Sequence, residues 1–450
     1  MVMELNQLSD SQPTSLKLTR GQEFIARDEQ VLSSSYTRDY PFVMERGEGC
    51  RVWDIDGNEY LDFCAGIAVL NTGHCHPAVV QAVQEQATRY FHMAGPDFHL
   101  PLMTELAEQL AQVSPIKPRS GQNKVFFTNS GTESIEAALK LARYRTGRQQ
   151  VISFTGSFHG RSYGALSLTA SKVTQRRGFG PTVPGAFQIP YANCRRCAYN
   201  LTYPSCNVYC LRDTLEERLF KQMIAPEEVA AIFVEPIQGE GGYIVPPAGF
   251  LPTLREICDK YGILLVADEV QSGFGRTGKM FAVEHFETQP DIICMAKGIA
   301  SGLPMGAIVA DGDIMNWPRG AHSNTYGGNA LASAAALATM RLLLEGGLVE
   351  NAAYIGAKML ERLSTWTAKY PLVGDARGLG LMLAIEIVDP TNPKQLNGAA
   401  RDAILNAAFE GGLLLLGAGT SAIRLCPPLI LTHAEAMRGL DVLEAVISRQ

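Results

Sequence analysis

The chain has 450 residues, 46% of them hydrophobic and 19% charged, with a formal net charge of −6. That length supports two or three domains with a large core, and the acidic balance argues against nucleic acid as a partner. No run of 18 or more apolar residues occurs, so no membrane-crossing helix is expected, and ten cysteines are too few for a disulfide scaffold.

Met1 to Leu8 lacks the basic, apolar and small-residue order of a signal peptide, so a cytoplasmic protein is expected. Ser9 to Ser15, with Pro13, reads as a flexible polar tail. Lys124 to Thr128 then reads as a strand. Ile135, Ala138, Leu139 and Ala142 follow at helical spacing, with Gly147 beyond them. Val151 to Phe154 and Ala230 to Val234 are further strands, and a helix covers about Leu254 to Tyr261. Two apolar runs come next, Gly262 to Asp268 and Asp291 to Lys297, and then Ala307 to Ala310. This β/α alternation predicts a mostly parallel central sheet with helices on both faces. Continuous apolar runs are what strands buried on both faces require. A long Ala- and Leu-rich helix spans Ala330 to Leu344, before Gly346-Gly347. The pattern then changes: a helix from about Ala352 to Lys369, a strand from Leu381 to Ile387, a helix from about Ala399 to Glu410, strands near Leu413 and Ile423, and a helix from His433 to about Ser448. That is a smaller α/β C-terminal domain, with its boundary between 330 and 345.

Charges end both central runs. Asp268 closes one and Lys297 the other. A carboxylate and an ammonium at buried strand ends are costly unless paired or used. Pyridoxal 5′-phosphate (PLP) chemistry uses such a pair, a lysine for the Schiff base and an acid for the pyridine nitrogen. Two solvated strand-end charges are the plainer alternative. Three loops sharpen the choice. Asn129 to Ser134 joins a strand to a helix, where free N–H groups and the helix dipole favour an anion. Ser130 and Thr132 add hydroxyls and Gly131 permits close approach, although an ordinary N-cap needs the same residue types. Ser157 to Arg161 offers Phe158 as a stacking ring and Arg161 as a fork for a carboxylate, or else is a surface loop. Val234 to Gly242 is a glycine-rich loop leaving a strand. Its Glu235 and Glu240 either orient cofactor groups or pair with an arginine, or are solvated carboxylates.

Taken together these pieces resemble the class III aminotransferases of PLP fold type I, the ornithine and 4-aminobutyrate (GABA) aminotransferase family. The matching pieces run in order from Gly57-Asn58-Glu59-Tyr60-Leu61-Asp62 to Arg424-Leu425-Cys426-Pro427-Pro428. The most specific is Leu265 to Gly275 (LVADEVQSGFG), with Ala296-Lys297-Gly298 after it. The resemblance implies roles. Lys297 becomes the Schiff-base lysine and proton shuttle, and Asp268 the partner of the pyridine nitrogen. Phe158 and Val270 become the apolar faces against the ring, and Gln271 the partner of its phenolic oxygen. His159 and Glu235 belong with the cofactor-binding residues. Ser130, Gly131 and Thr132 form the phosphate cup, and Thr325 reaches the phosphate from a neighbouring subunit. A homodimer with shared active sites is implied, or a dimer of such dimers. Arg424 is implied to bind an α-carboxylate, Arg161 a distal carboxylate, and Glu240 to cover Arg424 when the substrate has no α-carboxylate. Gly66 to His74 is close to bacterial GABA aminotransferases, with Ile67 narrowing the pocket beside the substrate. The division expected is residues 1–75 packing with the small domain, 76–335 as the PLP-binding domain and 336–450 as the small domain.

The expected reaction moves the amino group of an ω-amino acid, GABA foremost, to 2-oxoglutarate, giving glutamate and a semialdehyde. Ornithine, acetylornithine and 5-aminovalerate are alternative donors. A PLP racemase or epimerase is the alternative from another class, and would need a second acid opposite Lys297. An insertion at 191–211 departs from the usual bacterial pattern. Its Cys194, Cys197, Cys206 and Cys210 read as reduced thiols, as one or two disulfides, or as four zinc ligands; no metal is expected as part of the reaction.

Overall fold

The structure is a computed structural model that describes residues 16–450. The tail expected at Ser9 to Ser15 and the leader reading of Met1 to Leu8 lie outside them. After a helix at Thr19–Val31 come three strands, β1 (Met44–Glu48), β2 (Arg51–Asp54) and β3 (Glu59–Asp62). Seven more follow: β4 (Asn123–Thr128), β5 (Gln150–Phe154), β6 (Ala186–Ile189), β7 (Val229–Val234), β8 (Leu264–Asp268), β9 (Ile292–Met295) and β10 (Gly306–Asp311). These form one sheet in the order β4-β10-β9-β8-β7-β5-β6. From β9 to β6 every pairing is parallel, and β10 alone runs antiparallel, between β9 and β4.

Strand alternation sorts the side chains of this sheet into two cores. Val266, Ile292, Cys294 and Ile308 pack with Ile135, Ala138 and Leu141 of the Gly131–Thr146 helix. Leu265, Ala267, Ile293, Met295 and Val309 face the other way, toward Leu254 and Ile257 of the Phe250–Tyr261 helix and Leu106 and Leu110 of the Pro101–Val113 helix. Each face therefore buries its own set of branched side chains, at about 25 cal/mol per Å² removed from water. This is why β7 reads VAAIFV and is buried at all six positions. The Gly131–Thr146 helix stops at Gly147, whose φ of +69° is a left-handed cap that glycine takes without a Cβ penalty.

The C-terminal part is built on β11 (Val373–Leu379), β12 (Met382–Asp389), β13 (Asn392–Leu396), β14 (Leu413–Leu414), β15 (Leu416–Ala418) and β16 (Ala422–Leu425). The order β11-β12-β16-β15 is antiparallel throughout, with β13 on the edge of β12. β14 instead leaves to pair in parallel with β3, joining the C-terminal part to the β1-β2-β3 sheet. The Leu348–Lys369 and His433–Ile447 helices bury Trp366, Leu363, Leu440 and Leu443 in the main core. No single helix among the described residues is long and apolar enough to cross a membrane.

Candidate active site

The parallel strands end at one edge of the large sheet, and the loops that leave them meet there. In a doubly wound sheet that edge is where ligands bind. A cavity of about 420 Å³ lies at it, lined among others by Ser130, Gly131, Thr132, Phe158, Arg161, Glu235, Asp268, Val270, Gln271 and Lys297. Two larger clefts, about 610 and 830 Å³, both reach Ile116 and Lys117; the first also takes in Leu264 and Asp291, at the start of β8 and ahead of β9. Neither gathers a comparable set of chemical groups, so size does not identify the site here.

Asp268 is the last residue of β8 and is 5% exposed. Its Oδ2 lies 2.7 Å from Nδ1 of the buried His159, and its Oδ1 accepts the Val270 N–H at 3.0 Å. Burial pulls the His159 pKa down, but the hydrogen bond and charge of Asp268, with Glu235 behind, leave it raised. The imidazolium is thus favoured and the Asp268 carboxylate keeps a cationic partner. A carboxylate has about four acceptor positions, so Asp268 keeps capacity toward the cavity.

Lys297 follows β9 on a backbone at φ +44°, a left-handed conformation unusual for a side-chain-bearing residue. It is buried, and burial lowers its pKa, with Arg424 lowering it further against the opposing charges of Asp268 and Glu235. A lowered pKa means more neutral amine at ordinary pH, which is what a nucleophilic lysine needs.

Glu235 ends no strand but ties two loops. It accepts the Phe158 N–H and the Gly239 N–H, each at 3.0 Å. Burial, with Asp268 nearby, raises its pKa to about 7. Opposite it, Ser130 caps the Gly131–Thr146 helix and accepts the Glu133 N–H, while Glu133 reaches back to the Asn129 N–H at 2.7 Å. The first free N–H groups of that helix face the cavity. At Gly131 a Cβ would stand 2.7 Å from Val270 Cγ1, so glycine is required for this close approach. Thr132 Oγ1 is held 2.7 Å from Ser162 Oγ.

The remaining residues divide. Arg161 lines the cavity, is exposed, stacks 5.9 Å from the Phe158 ring centroid and makes no ion pair among the described residues. Arg424, on β16, is 6% exposed and does not line the cavity; its Nη1 lies 3.5 Å from Glu240 Oε2, and Glu240 does line it. Ile67 is 45% exposed and does not line the cavity, whereas Val69 does. Thr325 is exposed on the segment before the Ala330–Glu345 helix, away from the cavity of its own chain. Cys194, Cys197, Cys206 and Cys210 are free thiols around one small enclosed space, and no metal-holding group of side chains is formed among the described residues. Sequence reasoning missed three things: the His159–Asp268 pair, the Gly302 to Met305 wall, and Lys172, whose Nζ lies 2.6 Å from Glu240 Oε1. The two pairs have no local sequence signal, because each joins segments far apart in the chain.

The comparisons with known proteins settle the family. The family model for class III aminotransferases matches residues 33–447. The chain belongs to that family.

Among relatives of this class III aminotransferase, an acetylornithine aminotransferase of Methanopyrus kandleri is 41% identical, over 90% of this chain and 94% of its own. An alanine/serine racemase of Pyrococcus horikoshii is 38% identical, over 95% and 90%. A probable 4-aminobutyrate aminotransferase of Bacillus subtilis is 36% identical, over 96% and 98%. Among solved structures, an amine transaminase from an uncultivated Pseudomonas species in its PLP-bound form superposes with a TM-score of 0.84 at 34% identity, covering 93% of this chain and 98% of its own. The enzyme is a PLP-dependent transaminase of fold type I. The residues present fit that cofactor. Lys297 is a buried amine with a lowered pKa, Asp268 an ion-paired carboxylate with spare acceptor capacity, and the capped helix start at Ser130, Gly131 and Thr132 lines the cavity, where free N–H groups suit a phosphate.

Proposed function

We propose that this aminotransferase takes nitrogen from an ω-amino acid, GABA foremost, and gives it to 2-oxoglutarate. The observation that carries this reading is the Glu240–Arg424 pair at 3.5 Å, with Arg161 in the same cavity. Two cationic groups suit the two carboxylates of glutamate. A carboxylate able to cover one of them suits a donor with only one. An uncovered arginine as buried as Arg424 would be costly, so the cover has a physical reason.

When bound, PLP supplies an electron sink for negative charge at the carbon bearing the amine. Around it the chain's own residues divide the work. Ser130, Gly131 and Thr132 hold the phosphate, with Thr325 reaching it from a neighbouring subunit of a homodimer. Phe158 and Val270 would hold the ring through apolar contact, and Gln271 would hold its phenolic oxygen; all three line the cavity. Asp268, fixed by His159, keeps the ring nitrogen protonated, and Glu235 fixes the loop that carries Phe158. Lys297 Nζ would hold the cofactor and, once freed by the substrate amine, would serve as the base and acid that moves the substrate's carbon-bound proton. Arg161 binds the distal carboxylate and Arg424 the α-carboxylate of the second substrate. Nitrogen is stored on the enzyme between the two halves, so kinetics are ping-pong. On this reading residues 1–75 pack with the small domain, 76–335 hold PLP, and 336–450 bring Arg424. Free thiols suit a reducing cytoplasm.

Racemisation is the second reading, favoured by the likeness to the P. horikoshii protein named an alanine/serine racemase. A racemase acting on one-carboxylate amino acids has no use for a covered second arginine. The test is a donor screen with 2-oxoglutarate as acceptor, read as glutamate formed, over GABA, 5-aminovalerate, ornithine and acetylornithine. We expect glutamate from GABA at the highest kcat/KM. A preference of more than about tenfold for acetylornithine would replace GABA as the donor.

A further inference from the structure

Glu240 has two cationic partners, one on each oxygen. Arg424 Nη1 is 3.5 Å from Oε2, and Lys172 Nζ is 2.6 Å from Oε1. The partners differ in setting. The Arg424 side chain is 7% exposed and sits in the wall of the small sheet; the Lys172 side chain is 40% exposed. Lys172 also lines an outer polar cavity of about 350 Å³ with Asp39, Arg401 and Asp402, where Arg401 already holds Asp402 at 2.6 Å. It stands between that outer space and the carboxylate lining the inner one.

The backbone under Glu240 is fixed. Gln238 and Ile244 exchange two hydrogen bonds of 3.1 Å across the loop base, and the Gly419 N–H donates to the Glu240 carbonyl at 2.7 Å. Uncovering Arg424 is therefore a matter of the Glu240 side chain alone. A carboxylate leaving its only partner would lose the whole ion pair at a largely buried site. One that keeps a second cation on its other oxygen loses only part of it.

We infer that Lys172 is a positioning residue for substrate selection: it holds Glu240 when Glu240 leaves Arg424, and so makes room for a substrate that carries an α-carboxylate. The inference rests on the proposed Glu240 cover. Lys172 touches neither cofactor nor substrate in this scheme. It acts through Glu240 and only on the dicarboxylate, glutamate or 2-oxoglutarate. A donor with a single carboxylate uses Arg161 and leaves the cover shut, so Lys172 does not affect it.

Non-reacting acids separate these cases without turnover. Glutarate, a five-carbon dicarboxylate, requires both arginines; butyrate requires one. Each is titrated into the PLP-loaded enzyme by calorimetry, for wild type, Lys172→Met, Lys172→Gln and Lys172→Arg. Because Lys172 is a partly exposed side chain, these variants should fold. In Lys172→Met and Lys172→Gln the glutarate Kd is expected to rise about five- to tenfold, the scale of one partly screened ion pair, with butyrate within about twofold. Lys172→Arg should restore glutarate binding. An equal change for both acids, or none for glutarate, would overturn the inference. Glu240→Ala separates it from the reading beneath it. This variant should tighten glutarate relative to butyrate and erase the effect of Lys172→Met. If Glu240→Ala leaves the ratio unchanged, the cover itself is wrong and the inference falls with it. If that ratio moves while Lys172→Met does nothing, only the role of Lys172 is lost.

Discussion

Burial lowers the Lys297 pKa because an ammonium loses more than an amine when water is removed. The effect is useful only beside a group that keeps the opposite end of the cofactor cationic. Asp268 can be that group because His159, at 2.7 Å, stabilises its charge in turn. The residue types were legible in sequence: an aspartate and a lysine each closing an apolar run. The histidine link was not, since His159, on the loop after β5, and Asp268, at the end of β8, stand 109 residues apart in the chain. At this scale Lys297→Ala is expected to abolish the visible absorbance of lysine-bound PLP and borohydride trapping of the cofactor. It should also lower kcat by at least about a thousandfold, the range of a lost positioned acid–base group. A variant that keeps the band would remove Lys297 from this role.

Elements were legible where burial is two-sided. β7, β8 and β9 are apolar at nearly every position, and the Phe250–Tyr261 helix between β7 and β8 was legible as well. β6 and β11 were missed for physical reasons. β6 is a four-residue edge strand, and β11 reads VGDARGL, with five of seven positions half-buried and no clean alternation. Its place is set by pairing with β12, which sequence spacing does not show. The Leu348–Lys369 and His433–Ile447 helices are joined at the surface by Glu444. It accepts from Arg362 at 2.6 Å, Lys369 at 2.7 Å and Tyr370 at 3.0 Å. Burial opposes its ionisation, but these donors outweigh it and bring its pKa to about 2. A carboxyl with a lowered folded-state pKa stabilises the fold fully above its unfolded value near 4.5, and this is lost as pH falls through about 2. Glu444→Gln should therefore cost about 1 kcal/mol at pH 7, after allowing for solvent screening. The difference from wild type should shrink below about pH 4.5 in chemical denaturation. A cost that stays constant as pH falls would mean that packing, not charge, holds this contact.

The whole molecule sets Arg424 and Lys297 on different sheets. Lys297 follows β9 of the large sheet, and Arg424 lies on β16 of the small one. Glu240, on a loop leaving β7, bridges the two through its pair with Arg424. Substrate choice, on the proposed reading, is a property of how the parts meet, and the sequence announced its residues but not their arrangement. The Glu240–Arg424 pair was implied by resemblance alone, and Lys172 had no signal because its pairing with Glu240 joins positions 68 residues apart in the chain. Thr325 and Ile67 lie off the cavity within one chain; the role proposed for Thr325 belongs to an assembled dimer. The central claim is that these parts move an amino group rather than invert a carbon. It is tested most directly by mixing the PLP-loaded enzyme with excess GABA and no keto acid. Our account predicts one equivalent of semialdehyde per subunit, then a halt with the nitrogen held on the cofactor, released only when 2-oxoglutarate is added. No semialdehyde from GABA, together with inversion of an α-amino acid that continues past one equivalent without any keto acid, would contradict it.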